Sequence, residues 1–183
     1  MKNIKLFIGV ILIISCFACN EKNEVPLSPE ELKVQYDEFK KEILSEPSDA
    51  KITLERTACF GTCPIYSVAI SIDGKVEYFG YKFVEKSGFY KSEIPRNSVI
   101  DLLTYAANNG YNNLNEEYYT KIDTTDDGEI IEMSVSDLSS KITSIEIEGE
   151  RKVVKNYFAG PNWLSVFEAK IDSTISVAKW VGK

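Results

Sequence analysis

The sequence predicts an α+β domain built on a mainly antiparallel sheet of about five to seven strands, with an N-terminal, a middle and a C-terminal helix. Two observations support this fold class. Short segments of alternating apolar and polar residues follow one another at hairpin-like spacing through the middle of the chain. Apolar residues at helical spacing mark three other segments, at the start, in the middle and at the end. Because strands joined by short turns pair antiparallel, this order disfavours an alternating α/β fold.

The first helix is predicted to begin at Ser28-Pro29-Glu30-Glu31. This segment offers a side-chain cap, a proline at the first helical position and two acids that complement the helix dipole. Apolar residues then recur on one face before Pro47: Leu32, Tyr36, Phe39 and Ile43. We expect this face to pack against the core.

The first strand, Ile52 to Thr57, is followed by a hairpin around Asp73-Gly74 whose register can be predicted. A two-residue turn would pair Ile70 with Glu77 and mix polar with apolar residues on both faces. A three-residue loop, Ile72-Asp73-Gly74, with a left-handed glycine pairs Ile70 with Val76 instead. The second register is therefore predicted, with these residues facing the core: Tyr66, Val68, Ile70, Val76 and Tyr78.

The rest of the domain follows from the same periodicities. A strand over Phe89 to Ile94 precedes a helix that carries Val99, Leu102, Leu103 and Ala106 and stops at Asn109-Gly110. The segment Tyr111 to Ile122 is predicted to be irregular. Three strands are expected near Ile130 to Ser136, Ile142 to Glu148 and Lys152 to Phe158. A closing helix opens at Pro161 and places on one side Leu164, Phe167, Ile171, Ile175 and Ala178.

The N-terminus is typical of an exported protein. Lys2 and Lys5 form a short positive region before an apolar run, Leu6 to Ile14, that is too short to span a bilayer. Ile13-Ile14-Ser15-Cys16 is similar to the lipobox of bacterial lipoproteins, which implies cleavage before Cys16 and attachment of a diacylglycerol to it. Cys19 is the alternative, because cleavage there leaves only Cys59 and Cys63 as thiols.

The domain organisation follows from this N-terminus. Residues 1–18 are predicted to be the lipoprotein signal peptide, 20–27 a polar tether and 28–183 a single α+β domain. We expect the domain to lie in the periplasm or at the cell surface, with the lipid in the cell membrane or the outer membrane. The membrane is thus a partner, and a further envelope protein or glycan partner remains to be identified.

The charge of the chain argues against a nucleic-acid partner. The formal charge is −7, and loss of Lys2 and Lys5 takes it to −9. Binding to the phosphates of a nucleic acid needs a basic surface, and the acidic composition of this domain does not indicate one.

The most specific motif is Cys59-Phe60-Gly61-Thr62-Cys63-Pro64. Together with its flanks, Leu54 to Tyr66, and with Asp73 to Gly80, it resembles the family catalogued as domain of unknown function 6438. The resemblance extends over about residues 51–181. It implies an exported, often lipid-anchored bacterial domain with no established activity.

The same motif predicts a disulfide between Cys59 and Cys63. An oxidising envelope permits the bond, Gly61 lets the loop bend tightly, and Pro64 fixes the exit of the chain. The alternative is a thiol-redox or Cu(I)-handling pair, since the cysteine spacing is also similar to that of Sco-type copper-assembly proteins. The chain has no histidine, and Tyr66 onward alternates as a strand does, not as the helix that lowers a thiol pKa in such sites.

No cofactor and no catalytic residue are predicted. The absence of histidine excludes His-dependent triads and most zinc sites, and no Gly-rich phosphate loop or nucleophile elbow occurs in the sequence. Asp123, Asp126 and Asp127 are weak candidates for calcium ligands, because their loop begins like a calcium loop. Ser134, however, stands where such a loop needs a bidentate glutamate.

The two tryptophans suggest a further alternative, glycan binding. Trp163 and Trp180 could stack on sugar rings. Packing by the last helix is the preferred interpretation of both residues.

Overall fold

The computed structural model describes residues 27–45, 49–125 and 127–182, and for residues 43–45, 122–124 and 134 it describes the backbone alone. Its helices are α1 (Pro29–Ser45), α2 (Arg96–Asn108), α3 (Asn162–Thr174) and α4 (Ala178–Val181). Its strands are β1 (Ala50–Arg56), β2 (Ile65–Ser71), β3 (Lys75–Lys82), β4 (Gly88–Glu93), β5 (Glu117–Tyr118), β6 (Thr120–Thr124), β7 (Ile130–Ser134), β8 (Lys141–Ile147) and β9 (Glu150–Asn156).

Seven of these strands form one sheet, in the order β4-β3-β2-β1-β8-β9-β5. All neighbours pair antiparallel except β5 and β9, which pair parallel through two residues. The strands β6 and β7 form a separate antiparallel ribbon. The α+β class, with its mainly antiparallel sheet and its helices at the start, in the middle and at the end, is therefore confirmed.

The β2–β3 hairpin has the predicted register. Ile70 lies opposite Val76, and Val68 lies opposite Tyr78. Gly74 has a φ of +94°, and a Cβ at this position would collide with the carbonyl oxygen of Ile94. Only glycine satisfies both conditions at low energy. The five residues predicted to face the core are buried: Tyr66, Val68, Ile70, Val76 and Tyr78.

The two faces of the sheet bury two separate cores, because successive side chains of a strand point to opposite sides. The larger core lies between the sheet and the helices α2 and α3, and includes Leu54, Val68, Leu102 and Phe167. The smaller core lies under α1, where Tyr36 and Phe39 pack against Ile65, Ala69 and Phe79. The predicted apolar face of the first helix is thereby confirmed for Leu32, Tyr36 and Phe39, while the side chain of Ile43 lies outside the described residues.

The start of α1 is capped as the sequence predicts. The backbone N–H of Glu31 donates to the Ser28 hydroxyl at 3.3 Å, and the N–H of Ser28 donates to the Glu31 carboxylate at 2.9 Å. This reciprocal pair is a capping box. In the described part of the chain, no helix has the length and apolar composition needed to cross a membrane.

The prediction of an irregular segment from Tyr111 to Ile122 was wrong. A short 3-10 turn over Tyr111–Asn113 is followed by β5 and β6. Thr120 pairs with Ser134 and Thr124 with Ile130, so that β7 joins the ribbon and not the main sheet. Among the ribbon residues whose side chains are described, none is buried, so contact with the core does not fix the pattern of this segment.

The prediction of one continuous closing helix was also wrong. The chain leaves the helical conformation at Ser176, whose φ is +53°, and the short helix α4 follows. Ala178 is consequently exposed, and the larger core is completed by Trp180, which stacks on Tyr78 with ring centroids 4.6 Å apart. Because the left-handed residue ends the helix, the helical spacing of the apolar stripe does not continue past it.

Candidate functional site at the disulfide end of the sheet

The loop between β1 and β2 is closed by a disulfide bond between Cys59 and Cys63, with their Cα atoms 5.8 Å apart. Both cysteines are partly buried. The strand β2 begins at Ile65, directly after Pro64, so no helix follows the cysteine pair. The loop therefore lacks the helix N-terminus that activates a thiol in redox sites.

Hydrogen bonds hold this disulfide loop against the segment before β8. The N–H of Thr57 donates to the carbonyl of Ser140 at 3.0 Å, and the N–H of Ser140 donates to the Thr57 hydroxyl at 2.8 Å. The N–H of Phe60 donates to the carbonyl of Asp137 at 3.1 Å. The loop is thus fixed at its base and near its tip by bonds that do not depend on the disulfide.

Exposed apolar side chains lie on this loop and on the neighbouring segment. Phe60, between the two cysteines, is 88% exposed. Leu138 comes directly after Asp137, whose carbonyl accepts the hydrogen bond from Phe60, and it is 44% exposed. Exposed apolar residues continue at every second position back from Val135, just after β7, to Met133 and Ile131 on that strand. We call the whole set the apolar surface: Phe60, Ile131, Met133, Val135 and Leu138.

Beneath the loop, the end of β1 carries a charged network. Arg56 forms an ion pair with Asp172 of α3, and its Nε donates to the Tyr66 hydroxyl at 2.9 Å. That hydroxyl donates to the Asp172 carboxylate at 2.7 Å. Burial, and then the neighbouring Asp172 carboxylate, raise the pKa of Tyr66 well above its usual value. The phenol is therefore a fixed hydrogen-bond donor at every physiological pH.

A second charged group adjoins the first. The carboxylate of Glu168 is 1% exposed; its Oε1 accepts a hydrogen bond from Asn156 at 2.8 Å, and its Oε2 lies 3.8 Å from Lys141 Nζ. Burial raises the pKa of Glu168 to about 7, although Asn156 and Lys141 partly oppose the shift. No described residue donates a hydrogen bond to Oε2.

Sheet register and helix spacing bring these residues together. Arg56 lies opposite Lys141 on β8, and Lys141 lies opposite Asn156 on β9. Glu168 and Asp172 are four residues apart on α3 and so lie on one side of that helix. Two cations of the sheet therefore meet two carboxylates of the helix, and we call this group the charged cluster: Arg56, Tyr66, Lys141, Asn156, Glu168 and Asp172.

Sequence reasoning did not find the charged cluster, although part of its signal was present. Glu168 falls between Leu164 and Ile171 on the apolar stripe of the closing helix, and Asp172 follows one turn later. A carboxylate at a core position indicates a buried partner. The partners themselves lie on distant strands and are visible only in the folded chain.

The predicted calcium candidates do not form a site in the described residues. Asp127 is exposed, Asp126 lies outside the described residues, and so does the side chain of Asp123. Strands β6 and β7 flank the loop, whereas a calcium loop of the predicted kind stands between two helices. Over residues 27–45, 49–125 and 127–182, no three Cys, Asp or Glu side chains come together as metal ligands. The lipidation candidates Cys16 and Cys19 lie outside the described residues.

The tryptophans pack as expected. Trp180 is buried against Tyr78, and Trp163 is partly buried against the larger core. Neither ring is presented as an open platform for a sugar.

A family model described as a domain of unknown function (DUF6438) matches residues 50–175. The match begins at the first residue of β1 and ends one residue after α3, so it contains the disulfide loop, the ribbon and the charged cluster. A search of curated proteins returned no match to this chain.

Proposed function

Because this chain belongs to the DUF6438 family of domains of unknown function, we propose its role from its own surface: it is a binding module of the cell envelope. We propose further that a lipid on Cys16, or alternatively on Cys19, holds it at the membrane, with the domain in the periplasm or at the cell surface. The observation that carries the binding role is the exposure of Phe60 on a loop closed by a disulfide.

The exposure of Phe60 has a cost that a stabilising role alone does not explain. A disulfide loop needs no aromatic residue at its tip, and an exposed ring with exposed apolar neighbours is an aggregation hazard unless a partner covers it. Aromatic side chains on rigid loops are typical anchors of protein interfaces, because little conformational freedom is lost on binding. The disulfide and the Phe60–Asp137 hydrogen bond supply that rigidity.

The charges around the apolar surface indicate what kind of partner it takes. Residues 120–138 contain six acidic residues and a single lysine, Lys121. Two copies of this surface would bring like charges together, which disfavours self-association. We therefore propose a different envelope protein, with an apolar segment that covers Phe60 and Leu138 and basic residues at its rim.

Site-specific photo-crosslinking tests this proposal. Benzoylphenylalanine is placed at Phe60, at Leu138 or, as the control, at Asp101, an exposed residue of α2. In cells that export the protein, we expect one discrete adduct from positions 60 and 138 and none from 101. High salt should lower its yield, because the rim charges are screened.

A second variant separates surface from fold. Phe60→Ala, combined with the crosslinker at Leu138, should abolish the adduct while the circular dichroism spectrum and the disulfide are retained. The proposal is overturned if positions 60 and 138 give no adduct, or if Asp101 gives the same one.

A further inference from the structure

Three side chains of the charged cluster carry the functional groups that an amide-exchange reaction needs. Lys141 supplies a primary amine and Asn156 a primary amide, and the two residues lie directly opposite each other in the β8–β9 pair. Directly opposed residues of an antiparallel pair project to the same face, with Cβ atoms about 5 Å apart. The lysine stem is long enough to bring its nitrogen to the Asn156 amide.

The Asn156 amide is held at both of its polar atoms. The N–H of Gly160 donates to Oδ1 at 3.2 Å, and Nδ2 donates to Glu168 Oε1 at 2.8 Å. A Cβ on Gly160 would lie 2.7 Å from Oδ1, so glycine is what allows the backbone to approach the amide. A backbone N–H in this position polarises the carbonyl and stabilises negative charge that develops on its oxygen.

Glu168 bridges the amine and the amide. Its Oε2, which accepts no hydrogen bond from a described residue, lies 3.8 Å from Lys141 Nζ, while its Oε1 faces the nitrogen of Asn156. One carboxylate thus contacts both the nucleophile and the leaving group. Asn156 and Glu168 are each 1% exposed, so bulk water is excluded from the amide carbon.

We propose that Lys141 and Asn156 form an intramolecular isopeptide bond, with Glu168 as the proton carrier. Glu168 takes a proton from the Lys141 ammonium, and the neutral amine attacks Cγ of Asn156 to form the new C–N bond. Protonated Glu168 gives its proton to Nδ2 and takes the second amine proton in its place, and the Cγ–Nδ2 bond breaks. The departing ammonia takes up that proton from Glu168 and leaves as ammonium. Overall, a lysine ammonium and an amide become a secondary amide and an ammonium ion, and no oxidant or reductant takes part.

The surroundings of Glu168 suit this proton transfer. A proton carrier works best when its pKa lies near the ambient pH, and burial raises the pKa of Glu168 to about 7. The Lys141 side chain is 26% exposed, which leaves a route for the departing ammonia. The bond would join β8 to β9 beside the disulfide loop, so that this end of the sheet carries two covalent links.

Peptide mapping of the purified full-length protein tests the proposal without regard to how its N-terminus is processed. After reduction, trypsin should fail to cleave after Lys141, and a branched species should appear in which peptide 122–151 is joined to peptide 156–170. Its mass should be lower than the sum of the two peptide masses by the mass of one ammonia, which is lost when the isopeptide bond forms. Fragmentation should locate the branch at Lys141 and Asn156.

Variants identify the participating residues. Lys141→Arg and Glu168→Gln should each abolish the branched species and restore the unbranched peptides, whereas Lys155→Arg, on the opposite face of β9, should retain it. Full cleavage after Lys141 in the wild-type protein overturns the proposal, and this outcome requires no variant to fold. A branched species that persists in Glu168→Gln overturns the role of Glu168.

Discussion

Thr57 and Ser140 exchange two hydrogen bonds across the base of the disulfide loop, at 3.0 and 2.8 Å. They join the residue after β1 to the residue before β8 and so prolong the pairing of these strands. These bonds involve neither cysteine, so the disulfide is not the sole support of the loop.

The double variant Cys59→Ser, Cys63→Ser should consequently fold but be less stable. Loss of so short a closed loop lowers the free energy of unfolding by about 2 kcal/mol in the chain-entropy model. Urea unfolding of the variant and the wild type gives the difference. The disulfide of the wild-type protein should also resist reduction, and its cysteines should not bind Cu(I). An easily reduced disulfide, or tight Cu(I) binding, would favour the redox alternative.

Arg56→Met should destabilise the domain, because it leaves the Asp172 carboxylate partly buried beside Tyr66 without its cation. Breaking a fully buried pair costs about 3 to 5 kcal/mol, and the partial exposure of this pair reduces the expected loss to about 2 kcal/mol. Thermal and urea unfolding measure it. The control is Lys33→Ala, which removes an exposed ion pair with Asp37 and should change stability little. Equal effects of the two substitutions would contradict a special role for the charged cluster.

The stability of the domain should fall as the pH rises from about 4.5 to about 7. The pKa of Glu168 is raised to about 7 in the folded protein from its ordinary value of 4.5, so between these values the folded state binds more protons than the unfolded state. Stability then decreases with pH by up to about 1.4 kcal/mol per unit. Urea unfolding across this range should show the decline in the wild type and a weaker one in Glu168→Gln. Parallel curves would show that Glu168 does not titrate as described.

Loss of the hydroxyl group should affect the stability of the domain differently at two buried tyrosines. The Tyr78 hydroxyl is buried and has no hydrogen-bond partner in the described part of the chain, so Tyr78→Phe should leave stability unchanged or raise it. The Tyr111 hydroxyl bonds to Thr143 at 2.7 Å, so Tyr111→Phe should cost about 1 kcal/mol. Unfolding curves of the two variants, measured side by side, make each the control for the other. A larger loss in Tyr78→Phe would refute the assignment.

Mass spectrometry of the mature N-terminal peptide should identify the lipidated cysteine. If Cys16 carries the lipid, Cys16→Ser should abolish membrane association in detergent partitioning, and Cys19→Ser should not. The reverse result would select Cys19. A soluble, unlipidated wild-type protein would exclude the proposed anchor altogether.

The sequence by itself determined those features whose causes are local. The capping box of α1 involves residues three apart, and the β2–β3 register follows from Gly74 and from the alternation on either side of it. In both cases neighbouring residues decide the conformation, because a turn or cap is stabilised by its own backbone and side chains. The Cys59–Cys63 bond belongs to the same class, since the short separation leaves few alternatives.

Only the tertiary structure decided the ribbon, the break at Ser176 and the charged cluster. Arg56 and Asp172 are 116 positions apart in the chain, and no local preference of either residue indicates the other. Their meeting depends on the sheet order that places β8 beside β1 and on the packing of α3 over that end. Whether Glu168 is a surface acid or a buried proton carrier is likewise a property of its surroundings, because burial and neighbouring charges set the pKa of a carboxyl group.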